Sequence, residues 1–178
     1  TTHAATQTSV GPSRRHTQPH PPHEATPMST VDIESLRRWI GRTASDDDLL
    51  DARHAGLMAA TVDRAGDALA DGDVLPPLWH WLYFLQGQPP AALGRDGHPA
   101  RGGFLPPVPL SNRMWAGGRV AFEAPLPLGS RARKVSTILA VEHKRGRSGD
   151  LVFVTVRHEV LLPDGRRAVS EEQELVYR

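Results

Sequence analysis

The chain contains no cysteine, which excludes disulfide frameworks, thiolate zinc sites and cysteine nucleophiles, while fitting any redox compartment. It also lacks the run of about eighteen apolar residues that a membrane-spanning helix needs, and no apolar segment follows the N-terminus as a secretory signal would require. These absences point to a cytoplasmic protein. Lysine is scarce as well: of 21 basic residues only Lys134 and Lys144 are lysines, the rest being arginine. The formal net charge of +1 argues against general nucleic-acid binding, although arginine clusters remain suited to bidentate pairing with phosphate.

What is present fits one domain behind a polar tail. The 178 residues, 39% hydrophobic and 23% charged, suffice for a single core. Residues 1–28 are expected to be a disordered tail, because the first 27 carry five prolines and four of the nine histidines and too little apolar surface to offset ordering. His16, His20 and His23 are read as part of that tail, with no metal site expected. Met28 follows directly, so the tail reads as an extension ahead of a start. Residues 29–178 form the expected domain.

A helical turn or two is expected in VDIESLRRWIGR, ending at Gly41. A longer helix is expected in DDDLLDARHAGLMAATVDRAG, with Asp46, Asp47 and Asp48 at its N-terminus, where the macrodipole favours acid. The small residues Ala55, Gly56, Ala59 and Ala60 would let another element approach it. The stretch LPPLWHWLYFL (75–85) holds four of the ten aromatic residues around His80 and reads as a strand. Leu78, His80, Leu82 and Phe84 would share one face, and Trp79, Trp81 and Tyr83 the other. The loop at 87–112, dense in glycine and proline, reads either as a binding or lid segment or as a surface excursion.

From Arg113 onward the pattern is strand after strand with a period of two. Val120, Phe122 and Ala124 share a face. So do Val135, Thr137, Leu139 and Val141 on the next strand, and Val152, Val154, Val156 and Val160 on the one after. PDGR at 163–166 is a tight turn before a returning strand. One helix and at least four antiparallel strands make an α+β domain.

The segments LPPLWHWLYFL, RGGFLPPVPLSNRMWAGGRVAFEAPLPLGS and GRSGDLVFVTVRHEV resemble the N-terminal half of MaoC-like, FAS1-type dehydratases. Within that group the likeness is to the mesaconyl-CoA and itaconyl-CoA hydratases and the type 2 hydroxyacyl-thioester dehydratases, over roughly residues 33–178. The resemblance implies the hot dog fold, an antiparallel sheet wrapped around a central helix. It also implies reversible hydration of an enoyl thioester on coenzyme A, which enters as part of the substrate with no separate cofactor and no metal. An aspartate and a histidine handle the water, and backbone N–H groups polarise the carbonyl. The family's motif for those two residues is Asp-x-Asn-Pro-x-His near the end of the helix. This chain departs from it: the matching residues 61–67 read TVDRAGD. In two-half members the motif belongs to the C-terminal hot dog, which would begin just after Tyr177 and Arg178.

The expected role is therefore the substrate-binding half of an acyl-CoA hydratase or dehydratase, dimerising with itself or with a catalytic hot dog subunit, away from membranes and nucleic acid. A non-catalytic thioester-binding or assembly module and a hot dog thioesterase are the alternatives. His80 is the acid–base candidate, since imidazole exchanges protons near neutrality; a place in the pocket wall is its other reading. Trp79, Trp81 and Trp115 are expected to shape a thioester pocket or to pack the core. Arg101 and Arg113, beside Gly102, Gly103, Gly117 and Gly118, are expected to meet CoA phosphates, the glycines allowing close approach. Asp63 and Asp67 read as a solvated helix end. Lys144, Arg145 and Arg147 read as a hairpin tip, and His143 and His158, without an acidic partner evident in sequence, receive no role.

Overall fold

The computed structural model describes residues 31–64, 66, 68–94, 97–146 and 149–178. The expected tail, with His16, His20 and His23, lies outside them, as do Asp67 and Arg147. Helix α1 (Ile33–Arg37) starts at Asp32, whose carboxylate accepts the N–H of Ser35 at 3.1 Å. Strand β1 (Thr43–Leu49) leads into helix α2 (Ala52–Thr61). Strands β2 (Arg113–Phe122), β3 (Arg131–Gly146), β4 (Gly149–Leu161) and β5 (Arg167–Tyr177) follow, and the five form one sheet in the order β1-β3-β4-β5-β2. Every pairing is antiparallel. This is the hot dog arrangement.

Three local expectations are corrected. The aspartate run does not open a helix. Asp46 and Asp47 lie on β1 opposite Lys134 and Arg133 of β3, with ion pairs at 3.7 and 2.8 Å. Cross-strand charge pairing thus outweighs the macrodipole preference, and Asp51 caps α2 instead, accepting the N–H of His54 at 3.1 Å. Of the small residues on α2, only Ala55 and Ala59 are buried.

The second correction concerns β3. A bulge between Ile138 and Ala140 shifts the register against β4, so the parity of inward positions changes at Leu139. Ala132, Ser136 and Ile138 face the core before it and Val141 after it, whereas Val135, Thr137 and Leu139 do not belong to that set. β4 carries no such break along its inward face, and Val152, Val154, Val156 and Val160 are all buried as expected. The turn at 163–166 also forms, with Gly165 at φ +82° and its N–H on the carbonyl of Leu162.

The third correction is the stretch 75–85, which is not a strand. It folds as a 3-10 turn over Trp79–Leu82, because Pro76 and Pro77 offer no N–H to a ladder.

The core is divided. One apolar cluster gathers Leu50, Ala55, Tyr83, Phe84, Ala132, Val160 and Val169. A second gathers Leu36, Val108, Ile138, Val154, Val156 and Tyr177. Between them on β4, flanked by Val156 and Val160, sits His158. The ladder sets it beside Ser136 of β3 and Glu171 of β5, so a polar row crosses the sheet between two dry regions.

Candidate functional site

The turn that carries His80 is held under local strain. Leu78 and Phe84, which bracket it, have φ of 71° and 60°, a left-handed conformation that costs a non-glycine residue about 1–2 kcal/mol. The end of β1 and the residue that caps α2 clamp the far end. The Phe84 N–H donates to the Asp48 carboxylate at 2.7 Å, and the Tyr83 hydroxyl donates to the Asp51 carbonyl at 2.7 Å. Burial, followed by the charge of Asp51, pushes the Tyr83 hydroxyl up to about 12, so it remains a donor.

A turn does what a strand would not. Neighbours on a strand point to opposite faces, yet His80 and Trp81 reach the same carboxylate. The Trp81 indole N–H donates to Glu171 Oε2 at 2.9 Å, and His80 Nε2 lies 3.2 Å from that oxygen. Gln173 donates to the other oxygen, Oε1, at 2.7 Å. Glu171 and His80 are 3% and 5% exposed, so the pair is out of bulk water. Burial alone would raise the Glu171 carboxyl, but the hydrogen bonds from His80, Gln173 and Trp81, with the nearby His158, hold it at about 2. It is therefore an anion at neutral pH, and the His80 ring is oriented by donating its Nε2 proton to it. Burial pushes His158 down, the charge of Glu171 opposing, and its Nδ1 lies 2.7 Å from Ser136 Oγ.

His80 also forms part of the wall of a cavity of about 310 Å³. The remaining wall is mostly apolar, from Val74, Leu75, Pro76 and Pro77 on one side and Phe122, Ala124, Pro125, Leu126 and Val169 on the other, with Glu123 at its edge. The ring contact that His80 makes to a described residue runs from Nε2 to Glu171. Phe122 meets the His80 ring edge-on at 6.2 Å.

The other expected site residues separate into groups. Trp81 and Trp115 come together, their rings edge-to-face at 6.0 Å. Trp115 folds back along its own strand, its indole N–H donating to the Gly117 carbonyl. A Cβ on Gly118 would lie 3.3 Å from that indole and 2.8 Å from the Glu172 carbonyl, so Gly118 accommodates the chain's own tryptophan and strand partner. Trp79 turns to the first core cluster, with the Arg64 guanidinium 5.8 Å from its ring.

Arg101 lies elsewhere, its guanidinium 5.4 Å from the ring of Tyr177 in the second cluster. It donates to the carbonyls of Val108 at 2.6 Å, Ser111 at 2.7 Å and Leu110, so it staples the loop 87–112. Gly102 takes φ +89° in the turn that follows, with Gly103 next to it. Arg113 opens β2 opposite Tyr177. Asp63, at φ 58°, ends the α2 region, and His143 pairs with Asp150 at 2.9 Å.

Sequence reasoning missed Glu171, Gln173 and Ser136, and dismissed His158. The available signal was a charged residue two positions after Val169, at the inward parity of β5. Among the described residues no group of three His, Asp or Glu side chains is disposed to hold a metal ion.

Comparison with known proteins now bears on this geometry. A sequence model of the family hydroxyacyl-thioester dehydratase type 2 matches residues 78–178. The mesaconyl-C(4)-CoA hydratase of Chloroflexus aurantiacus is 44% identical over 140 residues, covering 79% of this chain and 50% of that protein. The chain thus spans about half the length of that relative. Among solved structures, the ChsH1-ChsH2 complex from Mycobacterium tuberculosis superposes with a TM-score of 0.57 at 11% identity, covering 82% of this chain and 92% of that one, a likeness of fold. From the matched span, which starts at the His80 turn and runs through Glu171, the chain belongs to the hydroxyacyl-thioester dehydratase type 2 family.

Proposed function

We propose that this chain is the acyl-binding half of an acyl-CoA hydratase or dehydratase acting on a mesaconyl-CoA-like enoyl thioester. The observation that carries the reading is the cavity that ends on His80, walled by apolar side chains and backed by the Glu171 anion. Apolar walls with one oriented polar group suit an acyl chain. The reaction adds water across the double bond: a proton goes to the α-carbon, hydroxide to the β-carbon, and the thioester stays intact. Coenzyme A takes part as the carrier within the substrate, with no further cofactor.

The chemistry requires a donor and an acceptor of protons. Residues 61–67, TVDRAGD, lack the Asp-x-Asn-Pro-x-His pattern, so the reading assigns that pair to a second hot dog half and gives His80 a place in the wall. The relative, half of whose length the match with this chain covers, supports this. A second copy or a catalytic hot dog half would meet this chain at the free edge strand β2, where Met114, Trp115 and Phe122 are exposed. An edge with unpaired backbone groups and apolar side chains is normally covered. No helix among the described residues is long and apolar enough to cross a membrane, in keeping with a cytoplasmic reaction.

The test is loss of enoyl-thioester absorbance with mesaconyl-CoA and crotonyl-CoA, alone and with a catalytic hot dog half added, alongside calorimetric binding. Binding without turnover alone, and turnover on complementation, are expected. Turnover by the chain alone that His80→Ala abolishes in folded protein would make His80 catalytic instead. Release of free CoA thiol would make the protein a thioesterase.

A further inference from the structure

The two edges of the sheet are finished differently. On β1, Asp46 and Asp47 are tied to Lys134 and Arg133, and a charged edge resists pairing with another strand. On β2, which has a neighbour on one side only in the described sheet, Met114, Trp115 and Phe122 are exposed, and the strand RMWAGGRVAF carries no acid. Trp81 extends this apolar surface from the turn. It is 42% exposed and Trp115 is 59% exposed, although their rings meet edge-to-face at 6.0 Å. Tryptophans so placed are the usual anchors of a protein interface.

The same tryptophan reaches the cavity from below. Its indole N–H donates to Glu171 Oε2 at 2.9 Å, and His80 Nε2 lies 3.2 Å from that oxygen. One buried oxygen therefore holds a surface tryptophan and the cavity's histidine together. Trp115 is held more firmly: its indole N–H goes to the Gly117 carbonyl, the register against β5 shifts between Trp115 and Gly117, and a Cβ on Gly118 would lie 3.3 Å from its ring. A strand laid along β2 would press on Trp115 and, through that ring, on Trp81. Covering Trp81 would hold its N–H, and with it the oxygen that aims His80. Of the two partners that fit β2, the strand itself favours a second copy. Ala116, Gly117 and Gly118 stand at its middle, so antiparallel self-pairing centred between Ala116 and Gly117 sets Trp115 opposite the partner's Gly118 and Arg119 opposite the partner's Met114, with no arginine against arginine. Such an interface closes at two copies, whereas β2 on a neighbour's β1 would run on as an open chain.

Resting on the acyl-binding reading of the His80 cavity, we propose that Trp81 is a positioning residue shared by that cavity and a dimer surface on β2. A second copy of this chain seated on Trp115 and Trp81 holds Glu171 and His80 in place, so dimerisation and acyl-thioester binding strengthen each other. By linkage the two effects are equal for each site filled.

The experiment measures both sides of that linkage on the full chain. Sedimentation velocity over a range of protein concentrations gives the monomer–dimer constant, without ligand, with saturating mesaconyl-CoA and with CoA alone; mesaconyl-CoA affinity is then measured below and above that constant. The dimer is expected to bind mesaconyl-CoA about tenfold more tightly than the monomer, and mesaconyl-CoA to tighten the dimer by the same factor per site. CoA alone, which brings no acyl group to the cavity, should leave the dimer constant unchanged. Trp81→Phe, which keeps a ring but lacks the N–H, should bring the dimer-to-monomer affinity ratio near one. Trp115→Ala should weaken the dimer about tenfold or more, as loss of an interface anchor does, and move the coupling to higher protein concentration. Should either variant fail to fold, the dependence of affinity on wild-type concentration remains the readout. A chain that stays monomeric, equal affinity in the two states, coupling with CoA alone, or a ratio that survives Trp81→Phe overturns the proposal and leaves the acyl-binding reading standing. No binding of mesaconyl-CoA in either state overturns both.

Discussion

Two segments flank the sheet, one dense in glycine and proline (87–112) and one dense in aromatic side chains behind two prolines (75–85), and they use their polar groups in opposite ways. In the loop 87–112 the Arg101 guanidinium is consumed by the carbonyls of Val108, Leu110 and Ser111. In the turn 75–85, two side chains converge on Glu171, and the His80 ring also lines a cavity. Residue type does not separate a structural staple from a binding contact. What separates them is where the side chain ends: Arg101 ends on carbonyls of its own loop, whereas the His80 ring, anchored on Glu171, also lines a cavity.

The largest effect that sharpens this contrast comes from Glu171→Ala. Removing the carboxylate strands the donors of His80, Trp81 and Gln173, and loss of one partner from a buried charged cluster costs about 3–5 kcal/mol, read as a drop in the denaturant midpoint. The same cluster is open to test by acid without mutation. Glu171 is depressed in the fold to about 2 from an ordinary 4.5, so its stabilisation is present above about 4.5 and is lost as pH falls toward 2. His158 is also lowered, from 6.5, and its contribution begins to fade once pH drops below that value. Stability should therefore decline in two stages on acidification, with the upper stage absent in His158→Gln when both are followed by thermal melts.

Arg101→Ala should come next, at about 2–3 kcal/mol, since hydrogen bonds from a charged donor are worth about 1.5–3 kcal/mol each and water replaces part of the loss at the exposed end. Its acyl-thioester affinity should stay within about twofold of wild type; a large loss of CoA affinity in a folded variant would return Arg101 to the phosphate-binding role that its sequence context suggests. Gly118→Ala should cost about 1–3 kcal/mol, as overpacking does. It should shift tryptophan emission, because the added carbon meets the Trp115 indole at 3.3 Å.

The strands β2 to β5 were legible because period-two alternation over a long stretch has few other solutions. Their inward faces were legible only where nothing interrupted the ladder. β4 keeps one inward parity through Val152, Val154, Val156, His158 and Val160, whereas the bulge at Leu139 reverses parity on β3 through backbone geometry that no side chain announces. The turn at Trp79–Leu82 was misread because its aromatic residues favour strands, while Pro76 and Pro77 and the distant anchors Asp48 and Asp51 dictate otherwise. Glu171 was hidden for a related reason. Beside Glu172 on a strand that reads SEEQE, it is marked as the inward acid only by its register against His158 and Val120. His80 stood out as a lone histidine among aromatics, but its partner lies 91 residues away.

The central claim is that an acyl thioester enters the cavity that ends on His80. Nitrogen NMR of histidine-labelled protein, titrated with mesaconyl-CoA, tests it most directly. The account predicts that the His80 Nδ1 resonance moves on binding while Nε2, held by Glu171, moves little. Saturating binding that leaves both His80 nitrogens unchanged would contradict it, because the ligand would then sit elsewhere on the protein.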